Sequence, residues 1–157
     1  MPLPYEIQVK LEARKPEVSV ARLKKNTRAI LKALGWKKAV LSLWLAGDRQ
    51  IRILNKRYLH HDRPTDVIAF SQREGKPLRL KDGLPFLGDI AISLETTVRQ
   101  AADFGNSFEY ELHFYICHGI LHLMGWEDST LKSAAKMERK QKLILEKIGL
   151  CHSGAHF

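Results

Sequence analysis

Ser107 to Met124 reads SFEYELHFYICHGILHLM, with apolar residues on almost every side and no proline. Such a run is too long for a strand, and a helix that is apolar nearly all round has to be enclosed by other elements. Asn106 with Glu109 three positions on is a capping-box-like start, and Gly125 closes the helix where a left-handed residue is favoured. The remainder of the chain must therefore supply layers around a central helix.

On the N-terminal side, Tyr5, Ile7, Val9 and Leu11 alternate with Glu6, Gln8 and Lys10, a period of two that marks a half-buried strand. After Pro16 the period changes. Val20, Leu23, Thr27, Ile30, Leu31 and Leu34 recur at steps of three and four, ending at Gly35, which predicts a helix. AVLSLWLA at Ala39–Ala46 reads as a buried strand, and Asp48 as the N-cap of a helix through about Tyr58.

Val67–Ser71 and Leu87–Ser93 are further strands, separated by a loop over Gln72–Pro85. Ser93 caps a helix that stops at Gly105. Beyond the central helix, a turn at Trp126–Thr130 leads to an amphipathic helix over Ser129–Ile148. Strands and helices are interleaved without strict alternation. The expected fold is α+β: one domain over residues 1–157, with a mixed four-stranded sheet packed by about five helices.

The chain has 157 residues, 45% of them apolar, enough for one core without disulfides. No apolar run approaches the roughly 20 residues that span a bilayer, and Met1-Pro2-Leu3-Pro4-Tyr5 lacks the plan of a secretory signal. A soluble cytoplasmic monomer is expected, with Cys117 and Cys151 reduced. The net charge of +9 is unevenly placed. Residues 1–60 hold 14 Lys and Arg against Glu6, Glu12, Glu17 and Asp48, whereas residues 61–157 hold 12 against 13 acidic groups. The helical face bearing Lys24, Lys25, Arg28 and Lys32 is thus the candidate contact for a polyanion such as RNA, the alternative being a solvated face.

The chemistry-bearing pattern lies in the central helix. His118 and His122 are four apart, so both imidazoles leave one face, and Gly125 lets the chain fold back to bring Asp128 to the same point. HxxxHxxGxxD supplies two imidazoles and a carboxylate with a position left open, the zincin-like pattern of a catalytic Zn2+ site. Asp128 also has a structural reading as the N-cap of the last helix, with Glu127 as a reserve donor. Zinc peptidases place Glu directly after the first His. Here Gly119 stands there, which argues against a metallopeptidase.

Three ordered segments resemble the YbeY family of bacterial endoribonucleases and rRNA maturation factors. Leu54-Asn55 through Pro64-Thr65-Asp66-Val67-Ile68-Ala69-Phe70 is similar to the family's LN…Y…D.PTDVLSF segment, Leu87-Gly88-Asp89-Ile90 to its LGDI strand, and His118 to Asp128 to its HGxLHLxGYDH signature. The resemblance implies a zinc-dependent, single-strand-specific endoribonuclease acting on 16S rRNA in small-subunit maturation and quality control. It departs at two positions: the family's third His falls at Asp128, and the Arg after the Tyr of its first segment falls at Leu59. Arg57 and Arg63 are the nearby cations expected to orient phosphate in place of that Arg. The other reading is a ribosome-associated factor whose metal site is structural.

Overall fold

The computed structural model describes residues 4–59, 67–71 and 83–151. Among them, four strands form one sheet: β1 (Tyr5–Leu11), β2 (Ala39–Ala46), β3 (Val67–Ser71) and β4 (Phe86–Ser93). Their order is β1-β2-β4-β3, with β1, β2 and β4 parallel and β3 antiparallel to β4. Five helices accompany them: α1 (Val20–Ala33), α2 (Asp48–Leu59), α3 (Leu94–Phe104), α4 (Phe108–Leu123) and α5 (Leu131–Lys147). The mixed sheet and α+β class expected from the interleaved periods are both present.

The all-round apolarity of α4 is explained by its neighbours. It touches β3, β4, α1, α3 and α5, and its Ile116, Cys117, Ile120 and Leu121 are fully buried with Leu41, Leu43, Ile90 and Ile92 of the sheet. A satellite core of Ala46, Ile51, Ile68 and Ala91 joins α2 to the other sheet face. Burial also pushes the Cys117 thiol up to about 12, so this cysteine is an inert core residue.

Three helix starts differ from the sequence expectation. Ser107, not Asn106, caps α4 by accepting the Tyr110 N–H at 3.0 Å, while Asn106 donates to Glu111. Asp48 opens α2 but does not cap it. Its carboxylate accepts from Ser93 Oγ, from Thr96 Oγ1 at 2.6 Å and from Arg99 at 2.8 Å, which ties the start of α2 to the start of α3. Partial burial disfavours the Asp48 anion, but these donors outweigh it and hold the carboxyl below its ordinary range. The third start is that of α5, whose cap is Thr130. Thr130 Oγ1 accepts from the Ser133 N–H at 3.0 Å, and Ser133 Oγ accepts in return from the Thr130 N–H at 3.0 Å. Asp128 is thereby released from the capping role the sequence left open to it.

Candidate metal centre

The end of α4 is shaped by Gly125. At φ +97°, Gly125 donates its N–H to His122 C=O at 3.0 Å, and Trp126 donates to Leu121 C=O at 2.9 Å. This paired closure needs a left-handed residue, which glycine adopts without a Cβ penalty. The chain reverses there and carries Asp128 back over the histidines.

The Nε2 atoms of His118 and His122 lie 2.9 Å apart, and Asp128 Oδ2 is 3.4 and 3.6 Å from them. The other ring nitrogens fix the tautomers. His122 Nδ1–H donates to the Trp126 carbonyl at 2.9 Å, and a carbonyl can only accept. His118 Nδ1–H donates to Gln141 Oε1 at 3.2 Å. The Gln141 amide is itself oriented because its NH2 donates to Phe114 C=O at 3.1 Å.

Both Nε2 atoms therefore present lone pairs to one another and to a carboxylate. Three acceptors converging without a hydrogen repel each other, and a cation at their centre turns that repulsion into coordination. The spacing fits: bonds of about 2.05 Å in a tetrahedron put ligand atoms about 3.3 Å apart. The His118 and His122 side chains are 23% and 30% exposed and that of Asp128 is 43%, so the centre opens to solvent on one side. Two His and one Asp leave at least one coordination position for water or substrate.

Among the other sequence candidates, Arg57 is exposed in the last turn of α2, and Arg63 lies outside the described residues, as do Pro64-Thr65-Asp66. Glu127 is exposed and is not in the ligand group. Lys24, Lys25, Arg28 and Lys32 lie along α1. That helix meets α4 through Asn26 and Arg22, which reach Glu109 at 3.5 and 3.6 Å. Glu109 is nine residues, about 13 Å of helix, before His118. The basic helix is thus set against the opposite end of α4 from the triad. Gly119 has a packing reason. A Cβ there would meet the fully buried Ile90 side chain at 2.8 Å, so α4 settles on β4 and position 119 has no room for a peptidase's carboxylate.

The YbeY family model, described as Endoribonuclease YbeY, matches residues 8–149. The chain belongs to the YbeY family. YbeY proteins named endoribonucleases include those of Geobacter metallireducens, 42% identical over 142 residues (87% of this chain, 93% of the relative), and Symbiobacterium thermophilum, 47% identical over 112 residues (70% and 72%). A solution structure of a Thermotoga maritima protein matches at a TM-score of 0.60 and 29% identity, covering 90% of this chain and 88% of that one. YbeY membership makes the chain an enzyme of the hydrolase class that acts on RNA, and His118, His122 and Asp128 are residues able to hold its metal.

Gln141 was missed by sequence reasoning. A signal for it existed: it stands in the apolar stripe of α5 with Met137, Ile144 and Leu145, and is only 2% exposed. A buried amide in such a stripe has to find polar partners, and here they are a histidine of the candidate metal triad and a backbone carbonyl. Gln141→Leu is expected to weaken divalent-metal binding about 10- to 100-fold, as read by competition with a chelating dye. Helix content should be unchanged.

Proposed function

We propose that the protein is a zinc-dependent endoribonuclease that cuts single-stranded segments of 16S rRNA during maturation of the small ribosomal subunit in the cytoplasm. The observation that carries this reading is the convergence of two tautomer-locked Nε2 atoms and one carboxylate at metal-ligand spacing. A divalent ion held there supplies Lewis acidity to a phosphodiester and lowers the pKa of water. The chain's own residues do the rest. Trp126 C=O and Gln141 aim the imidazoles by holding their Nδ1 atoms, and Asp128 adds one negative charge to the ligand set. Arg57 and Arg63 are proposed to orient the phosphate.

We propose a separate task for the cations of α1. Arg22 and Asn26 of that helix meet Glu109, at the far end of α4 from the triad, which supports Lys24, Lys25, Arg28 and Lys32 as a contact for structured rRNA of the small subunit rather than as a feed into the centre. Among the described residues, no helix is long and apolar enough to cross a membrane.

The test is cleavage of a precursor 16S rRNA by the purified protein, before and after chelation, with Zn2+, Mn2+ and Mg2+ added back. Cleavage lost on chelation and restored best by Zn2+ is the expected result, and chelator-insensitive cleavage rejects a metal mechanism. Binding of 30S particles without any metal-dependent cutting supports the other reading, motivated by Leu59. Leu59→Arg then restores cleavage if the missing guanidinium is the cause.

A further inference from the structure

The cleft that holds His118 and Asp128 continues past them. It has a volume of about 390 Å³ and is also lined by Phe104, Tyr110 and Phe114. Tyr110, Phe114, His118 and His122 follow one another at intervals of four, a single row along α4, so each step is about 6 Å along the helix axis. The two rings before the metal ligands lie 6.0 Å apart, centroid to centroid, at 35°. Phe104, the last residue of α3, is 62% exposed at the cleft. Leaving a phenylalanine this exposed sacrifices burial worth about 2 kcal/mol, an arrangement that makes sense if a partner covers it.

Charge selects the partner. The lining carboxylates are Glu111, Asp128 and Glu138, and the cation Lys142 is 3.4 Å from Glu138. A phosphate entering beyond the metal would meet an acidic wall. A flat heterocycle carrying amino groups would meet aromatic faces and acceptors. We infer that this extension is a nucleobase subsite: the base flanking the scissile phosphate leaves its strand and stacks on Phe114, and Phe104 closes over it. The inference rests on the endoribonuclease reading and adds to it the reason for selecting unpaired RNA, since a base held in a duplex cannot enter.

The experiment compares oligoribonucleotides with and without a base at each position around the cut. With the wild-type protein, removing one flanking base is expected to lower cleavage about 5- to 100-fold, the range of one base–aromatic stack. Phe104→Ala and Phe114→Ala should lower cleavage of the intact oligonucleotide similarly, yet lose little more when that base is absent. The loss on RNA should also exceed by at least tenfold any loss on bis(p-nitrophenyl) phosphate, which has no base. Phe104 is exposed, so its replacement leaves the core intact even if Phe114→Ala proves unstable. Independent, multiplying losses from protein and base removal would overturn the subsite. No cleavage of any RNA by the metal-loaded wild type would instead overturn the reading on which it rests.

Discussion

His118→Ala and His122→Ala are each expected to lose bound metal and to lower RNA cleavage by about 10³-fold or more, because a catalytic metal contributes several kcal/mol to the transition state. Each variant removes one Nε2 from a set that has three protein donors among the described residues. It also strands its former partner: Gln141 Oε1 in the first case, the Trp126 carbonyl in the second. Neither ring belongs to the apolar core, so unfolding by urea should shift by far less than activity falls. Asp128→Asn is the graded member of the series. It keeps an oxygen donor but not its charge, and metal affinity should fall less than with either alanine. Asp128→His, which exchanges the carboxylate for a third imidazole donor, should retain the metal. Metal content by mass spectrometry, set beside cleavage rate, checks the series. Full cleavage by metal-free His118→Ala would falsify the assignment.

Legibility differed by the kind of interaction. Period and composition were enough for all nine described elements, because α4 is apolar on every side and β2 is continuously apolar, and burial is written directly into such patterns. The triad was legible for the same reason. His118, His122 and Gly125 are local, and their geometry follows from one helix and its termination. What escaped was long-range polar pairing. Gln141 meets His118 across 23 residues, and Asp48 meets Thr96 across 48. The cap of α4 was misplaced by one residue because Asn106 and Ser107 are both good capping residues, and Asp128 stayed open between ligand and cap because Asp also caps well. Only the neighbouring side chains decide which of them performs that task.

Gly88→Ala is expected to be the most destabilising single methyl in the described sheet. Phe86 pairs with Val40 while Gly88 pairs with Leu41, so Leu87 is an extra residue and β4 bulges there. Gly88 has φ +145° at this bulge, a region that L side chains avoid. A Cβ would lie 2.2 Å from the Phe70 carbonyl oxygen and 2.9 Å from Leu123 Cδ2. The first contact is with the backbone of β3, which is paired to β4 and cannot rotate aside as a side chain can. Strain at the new residue and overpacking each cost about 1–3 kcal/mol, giving about 3–5 kcal/mol together. At this chain length that corresponds to about a 10 °C fall in Tm. Gly119→Ala is the natural comparison. Its obstacle is the Ile90 side chain at 2.8 Å, and alanine recovers about 1 kcal/mol of helix propensity, so its loss should be smaller. The two positions also differ in reach. Leu123 adjoins His122, so relief of the Gly88→Ala clash through Leu123 moves a member of the candidate metal triad, and metal affinity should fall with stability. Urea unfolding with and without Zn2+ separates these effects: an unfolding midpoint equal to wild type in Gly88→Ala would show that β3 and α4 do not close on the bulge as described.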